Sequence, residues 1–179
     1  MVNQKSIERI TNFLKISYGL KRERRIGWIT KASINRPESV ADHVFGTALI
    51  SMIIGDLKGL NTCKIIRMAL IHDLAEALIG DKSPIEKDKL VEDEIFRKIC
   101  SQLPSDLGKS YKELWNELSN KKTAESKLFK EIDKLEIAVQ AFEYCKEGYS
   151  KDNLSDLVNS SRKALKDPLI IQIFDQLRH

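Results

Sequence analysis

One short segment holds most of the side chains that could carry out chemistry. His72 is followed directly by Asp73 and, four residues on, by Glu76. On an α-helix these three side chains project to one side, next to a stripe of leucine and alanine. Burying two carboxylates beside an imidazole costs free energy unless a cation neutralises them. The segment therefore indicates a divalent cation, and its ligand types suit Mn, Fe, Co, Zn or Mg.

Two distant residues complete the ligand set. His43 lies in the first turn of a predicted capped helix, where the positive helix end keeps an imidazole neutral and able to bind a metal. Asp133 lies on another segment with helical apolar periodicity. With His72 and Asp73 they provide two nitrogen and two oxygen ligands. Such a set leaves positions on an octahedral ion for water and substrate, as a catalytic site requires.

A simpler interpretation of the His72-Asp73 pair stays open. Adjacent histidine and aspartate residues occur by chance, and a core histidine can hydrogen-bond a neighbour without a metal. The metal hypothesis requires that His43 and Asp133 reach the same point in space.

The elements that must position these residues are predicted to be helices. Apolar residues recur at spacings of three and four almost throughout, valine is scarce, and Asn-Gly or Asp-Gly hairpin turns are absent. We predict an all-α fold, a single bundle of about seven to nine helices over residues 1–179. Residues 21–38 are predicted to form a loop, and the longer helices fall at about 7–18, 39–57, 61–80, 85–103, 104–118 and 123–145.

The composition favours a compact chain in a reducing compartment. Of its 179 residues, 42% are hydrophobic. The cysteines Cys63, Cys100 and Cys145 form no CxxC pair, which favours reduced core residues and a cytoplasmic location. No run approaches the ~20 apolar residues of a membrane span, and no secretory signal is evident at the N-terminus. The basic cluster 21–25 lacks interleaved aromatic residues, so a solvated surface is favoured over a nucleic-acid interface.

Three blocks of the sequence resemble the HD-domain phosphohydrolases, whose signature is H…HD…D. The first block is 36–43, the second is 71–81, which resembles HDLAEAxxGD, and the third comprises 125–127, 133–136 and 140–144. They follow the family's order, over about residues 20 to 147. They are most similar to the 5′-deoxynucleotidase branch, which hydrolyses deoxynucleoside monophosphates. The resemblance implies an HD domain whose C-terminal helices complete the bundle.

The resemblance assigns roles to the candidate residues. It implies that His43, His72, Asp73 and Asp133 hold the metal. Glu76 would be a catalytic residue rather than a ligand, orienting or deprotonating the attacking water or protonating the leaving 5′-oxygen. The alternative for Glu76 is an exposed helix carboxylate.

Three further residues are candidates for binding substrate. Asp81 matches a carboxylate that contacts the sugar in the family, although a loop-capping role is the alternative. Arg25 and Trp28, arranged as R-x-G-W, match an arginine and a tryptophan of this branch. Arg25 suits a phosphate because guanidinium binds phosphate oxygens bidentately, and Arg24 is the alternative. Trp28 would line the binding site for the sugar or base, or it would belong to the core.

The predicted function is removal of the 5′-phosphate from (deoxy)nucleoside monophosphates by attack of a metal-bound water. It requires one divalent ion, and Mn, Co, Fe, Mg and Zn all fit the ligand types. The alternatives are hydrolysis of cyclic nucleotides or nucleoside triphosphates on the same metal, and a metal-stabilised nucleic-acid-binding module without catalysis. The expected partner is a small-molecule nucleotide, with no membrane, and the resemblance also implies a homodimer.

Overall fold

The computed structural model describes residues 3–83 and 86–178 of the chain. Within them no β-strand forms, which confirms the all-α prediction, and eight helices are ten or more residues long. The helices are α1 (Gln4–Ser17), α2 (Ile26–Ala32), α3 (Val40–Lys58), α4 (Thr62–Ile71), α5 (Glu76–Ile79), α6 (Lys89–Cys100), α7 (Ser105–Asn120), α8 (Ala124–Lys146), α9 (Lys151–Ala164) and α10 (Pro168–Leu177), with a 3₁₀ turn at Tyr18–Lys21.

Side-chain caps fix where the helices begin. The hydroxyl of Ser39 accepts the N–H of Asp42, whose carboxylate accepts the N–H of Ser39, so the capping box predicted at α3 is confirmed. Asn61, Thr123 and Asp167 cap α4, α8 and α10 in the same way. The caps of α3 and α8 fix where these two long helices begin, and both helices carry site residues.

The helix predicted over residues 61–80 is interrupted where the chemistry lies. α4 ends at Ile71, and a turn over 72–75 precedes the single-turn helix α5. In this turn the N–H groups of Leu74 and Glu76 donate to carbonyls three residues back, at 3.2 and 3.0 Å, rather than four. The prediction of one continuous helix was wrong, because the backbone here is wound more tightly than an α-helix. This tighter winding also sets the directions of the polar side chains.

The predicted loop over residues 21–38 contains the short helix α2. Its first N–H group, on Ile26, donates to Asp81 at 2.6 Å, from 55 positions away in the chain. The helix stops at Ser33, whose φ of 56° is left-handed. A cap supplied by so distant a residue leaves no local signal in the sequence, and the prediction of a plain loop was therefore wrong.

Helix α6 is shorter than the predicted 85–103. It begins at Lys89, because the carboxylate of Asp88 accepts the N–H groups of Leu90 and Val91. Residues 84 and 85, where the helix was predicted to start, lie outside the described residues.

The centre of the fold is α8, which packs against α3, α4, α7, α9 and α10. Phe96 stacks on Trp115 with ring centroids 4.3 Å apart, and both rings are buried in the core. A second apolar cluster surrounds Trp28 and Tyr144, under α9. Cys63 is exposed, so the expectation that every cysteine is in the core was wrong for this residue.

Helix α3 is apolar on both faces. By length and hydropathy alone it could cross a membrane. Its inner face, however, carries the fully buried His43 and packs against α4 and α8, as in the core helix of a globular domain. Its outer face keeps several large apolar side chains exposed.

Candidate active site

The four predicted metal ligands lie together. Nε2 of His72 lies 3.2 Å from Nε2 of His43 and 3.0 Å from Oδ2 of Asp73. Oδ1 of Asp133 lies 3.2 Å from Nε2 of His43. The four groups are buried and come from α3, from the turn after α4 and from α8. The packing of these helices brings residues 90 positions apart in the chain to one point.

The hydrogen bonds of the two histidines favour a cation at this point. Nδ1 of His72 donates to the carbonyl of Ala69 at 2.7 Å, so its Nε2 presents a lone pair to the site. Nδ1 of His43 is hydrogen-bonded to Glu136, and its Nε2 faces the same point. Two imidazole lone pairs at this separation repel unless a proton or a cation lies between them. The donor set therefore fits a divalent ion, and His43, His72 and Asp73 are close enough to share one.

The site stabilises positive charge where the ligands meet. Burial opposes ionisation of Asp73 and Asp133, but neighbouring cationic groups outweigh it and hold the pKa of each carboxyl well below its usual range. Burial and Arg25 lower the pKa of His43, while its hydrogen bonds to Asp133 and Glu136 raise it to about 10. The same electrostatics favour a metal ion, which would take the place of the proton.

Glu76 lies beside the ligands and is buried. It is 2% exposed, so its interpretation as an exposed helix carboxylate is wrong. Its Oε1 accepts from Nζ of Lys87 at 2.7 Å, whereas Oε2 has no hydrogen-bond partner among the described residues. Burial and the charge of Asp73 raise the pKa of Glu76 to about 8. A carboxyl group with a free oxygen and a pKa near neutrality suits proton transfer.

Lys87 belongs to the site, although the sequence analysis did not single it out. Besides Glu76, its Nζ lies 3.9 Å from Asp73 and 3.8 Å from Glu92. Burial lowers the pKa of Lys87, but these carboxylates outweigh burial and raise it. Lys87 lies in a run of alternating charges, which is typical of a solvated surface, so nothing in the local sequence signals that this lysine turns inward.

Arg25 and Asp81 also lie next to the four predicted ligands. Nη1 of Arg25 lies 3.4 Å from Asp73 and 3.8 Å from Asp81. Arg24 instead donates to the carbonyl of Pro37 at 3.0 Å, so Arg25 is the one of the pair that faces the site. Asp81 both pairs with Arg25 and caps α2. Asp81 thus caps a distant helix rather than its own loop, which was the alternative offered, and this cap coexists with a position at the site.

Trp28 is mainly a core residue. It is 2% exposed, and its ring packs edge-on against Tyr144 with centroids 5.2 Å apart. Its Nε1 donates to Glu38 at 2.8 Å. Trp28 also borders the cavity above the ligands, so a contact with substrate is limited to an edge of the ring.

Glu136 and Glu38 lie next to His43, on the side away from the other ligands. Glu136 is hydrogen-bonded to His43, and Glu38 is hydrogen-bonded to Trp28. Glu136 is 5% exposed and binds Nδ1 of His43. A Cβ at position 46 would lie 2.7 Å from Glu136, so Gly46 gives this carboxylate its room. Glu38 lies close to Glu136, and burial together with that neighbour raises the pKa of Glu38 to about 7. Glu38 lies within the block 36–43 that resembles the HD family, but no role was predicted for it.

A cavity of about 720 Å³ opens above the ligands, which is large enough for a nucleotide. His72, Asp73 and Asp133 lie in its wall. Among the described residues its lining also includes seven cationic side chains, which favour an anionic ligand: Arg25, Lys31, Lys82, Lys87, Lys121, Lys130 and Lys134.

Comparisons with known proteins agree with this geometry. A family model described as HD domain matches residues 18–170. The human protein 5′-deoxynucleotidase HDDC2 is 35% identical over 173 residues, which cover 94% of this chain and 84% of that protein. The crystal structure of PH0347 from Pyrococcus horikoshii OT3 is similar with a TM-score of 0.77 and 28% identity, covering 93% of this chain and 97% of that one. Cyanophage S-2L HD phosphohydrolase DatZ, solved with dA and one catalytic Zn²⁺ ion, has a TM-score of 0.58 and 18% identity, covering 92% and 93% of the two chains, and shares the fold.

Proposed function

The chain belongs to the HD domain family, and from this premise we propose that it is a metal-dependent 5′-deoxynucleotidase. It hydrolyses (deoxy)nucleoside monophosphates to nucleoside and phosphate. The observation that carries the proposal is the meeting of His43, His72, Asp73 and Asp133 at a cavity wide enough for a nucleotide. We propose that these residues hold one divalent ion, Mn, Co, Fe, Mg or Zn. When bound, such an ion acidifies water and offsets the charge of the phosphoryl oxygens.

The remaining steps fall to the chain's own residues. The water oxygen forms a bond to phosphorus while the bond from phosphorus to the 5′-oxygen breaks. Glu76 takes the proton of the attacking water on its free Oε2 and returns it to the leaving 5′-oxygen. Lys87 holds the other oxygen of Glu76 and so fixes the direction of the carboxyl group.

Arg25 and Asp81 position the substrate. Arg25 donates to the phosphoryl oxygens, and its ion pairs with Asp73 and Asp81 hold the guanidinium beside the ligands. Asp81 accepts a hydrogen bond from a sugar hydroxyl. Because Asp81 also caps α2, sugar binding and the position of that helix are linked through one carboxylate.

A phosphate-release assay tests the proposed function. The purified protein should release phosphate from dAMP with Mn²⁺ or Co²⁺ and lose this activity in EDTA. Asp73→Ala should be inactive, whereas Asp106→Ala, at an exposed position on α7, should match the wild type. Full activity of Asp73→Ala would contradict the role of Asp73. Including AMP, a cyclic nucleotide and dATP in the same assay separates the alternative phosphoester reactions.

We also propose that two copies of the chain pair through the outer face of α3. Phe45, Leu49, Met52, Ile53 and Leu57 are 70%, 43%, 44%, 50% and 67% exposed. The steps from 45 to 49 to 52 are those of a coiled-coil seam. An antiparallel pair with Leu49 opposite Met52 brings the ends of the two helices together.

The charges at these helix ends are complementary in such a pair. Asp42, in the first turn of α3, would lie near Lys58, in the last turn of the other copy, which also pairs with Asp167 of its own chain. Leu49→Lys should therefore give a monomer in light scattering, while Leu90→Lys, at a site 80% exposed on α6, should leave a dimer. A monomeric wild type would contradict the pairing.

A further inference from the structure

One wall of the cavity carries three lysines that the proposed mechanism does not use. Lys130 and Lys134 lie on α8, and Lys121 lies at the end of α7; we call these three the α8 lysine cluster. Lys134 has a carboxylate within ion-pairing distance, Asp133 at 3.2 Å. Among the described residues neither Lys121 nor Lys130 forms an ion pair.

The α8 lysine cluster differs in charge balance from Lys87 and Arg25, which line the same cavity. Lys87 pairs with Glu76 at 2.7 Å, and Arg25 pairs with Asp73 at 3.4 Å. Lys130 is partly buried against the face of Phe129 and has no such partner. Burial lowers its pKa and outweighs the opposing attraction of Asp133 and Asp73, while Lys134 and Lys121 lower the pKa further. Lys130 is thus a cavity lysine whose charged form an anion would stabilise.

Lys130 is also placed to reach an anion at the ligands. It precedes Asp133 by three residues on the continuous helix α8, so both side chains project to one side, and both line the cavity. When Asp133 and Asp73 bind a cation, their attraction for Lys130 weakens, because the cation offsets their charge. An anion held at the same place would then stabilise the charged form of Lys130 instead.

We propose, on the basis of the proposed function, that Lys130 is a phosphate-binding residue of this site. Its ammonium group donates to oxygens of the phosphoryl group held next to Asp133, and the rest of the α8 lysine cluster adds long-range attraction. The ligand class is a phosphate monoester dianion, and equally its product, inorganic phosphate. Arg25 and Lys130 then hold the phosphoryl group from two sides, while Lys87 stays with Glu76.

The test measures both turnover and binding of inorganic phosphate. Lys130→Met keeps the length of the side chain and removes its charge; Lys130→Arg keeps the charge. Lys127→Met, at an exposed position of the same helix, is the matched control. The metal content and melting temperature of every variant are measured, and Lys130→Gln replaces Lys130→Met if the latter does not fold.

Lys130→Met should weaken binding of inorganic phosphate to the Mn²⁺-loaded protein, and raise KM for dAMP, by about tenfold or more. Lys130→Arg should recover most of the loss, and Lys127→Met should stay within about twofold of the wild type. A Lys130→Met protein that keeps its metal and binds phosphate as the wild type does would overturn the proposal. Phosphate binding needs no turnover, so the result for Lys130 stands even if no nucleotide is hydrolysed and the proposed function fails.

Discussion

The residues that meet at the proposed metal site and the residues that cover it are held by different means. His43 and Asp133 lie on α3 and α8, long helices whose apolar faces pack against each other. The covering segments, 22–39 and the described residues 80–83 and 86–88, are mostly irregular. They are tied to the site by individual side-chain hydrogen bonds, although Trp28 in the first segment also packs in the second apolar cluster. Periodic packing thus builds the ligand set, whereas individual long-range bonds build the substrate side.

This comparison predicts that changes on the two sides affect different measurements. A change at the ligands or at Glu76 should act on metal binding or on kcat. A change in the covering segments should act on KM and on local stability.

Glu76→Gln should give the largest effect on turnover with the metal retained. Because Glu76 moves the proton without being a ligand, kcat should fall about 100-fold or more, while the metal content stays at the wild-type level. Glu92→Gln, which removes the outer carboxylate around Lys87, is the control and should change kcat only slightly. Loss of metal in Glu76→Gln would mean that Glu76 is a ligand.

Arg25→Ala should raise KM for dAMP about tenfold, since a charged hydrogen bond to phosphate is lost. Arg24→Ala should stay close to the wild type, because Arg24 is directed to the carbonyl of Pro37. Steady-state kinetics on both variants measure the difference. Equal effects at the two positions would show that the basic cluster acts through its overall charge.

Trp28→Phe should lower the free energy of unfolding by about 1–2 kcal/mol through loss of the hydrogen bond to Glu38. Trp115→Phe loses a similar bond, to Asp93 at 2.6 Å, and should be destabilised to a similar extent. Only Trp28→Phe should also raise KM, because Trp28 borders the cavity. Denaturant unfolding and kinetics on both variants test this, and an unchanged KM would make Trp28 purely a core residue.

Glu38→Gln should change how stability depends on pH. The pKa of Glu38 is raised from 4.5 to about 7 in the folded protein, so the folded state binds this proton more tightly than the unfolded state. In metal-free protein the wild type should therefore lose about 1–3 kcal/mol relative to Glu38→Gln as pH rises from 4.5 to 7. Parallel unfolding curves across this range would show that the carboxyl group titrates normally.

The same contrast explains what could be predicted from the sequence. The caps of α3, α4, α8 and α10 follow from cap residues and apolar period, which are local properties. The proposed ligand set follows from residue types together with the resemblance to the HD-domain family. The interruption after Ile71 and the helix α2 escaped prediction, because tight winding and a cap from Asp81 depend on tertiary contacts. Lys87 and Lys130 escaped because a lysine that turns inward has the same local sequence pattern as one in solvent.

Equilibrium binding of Mn²⁺ tests whether the four side chains share one metal ion. The wild type should bind one ion per chain, and His43→Ala and Asp133→Ala, each altering a ligand far in sequence from the His72-Asp73 pair, should each weaken binding by at least about tenfold. If both variants bind Mn²⁺ as tightly as the wild type, the four side chains do not share a metal, and the account of this site is wrong.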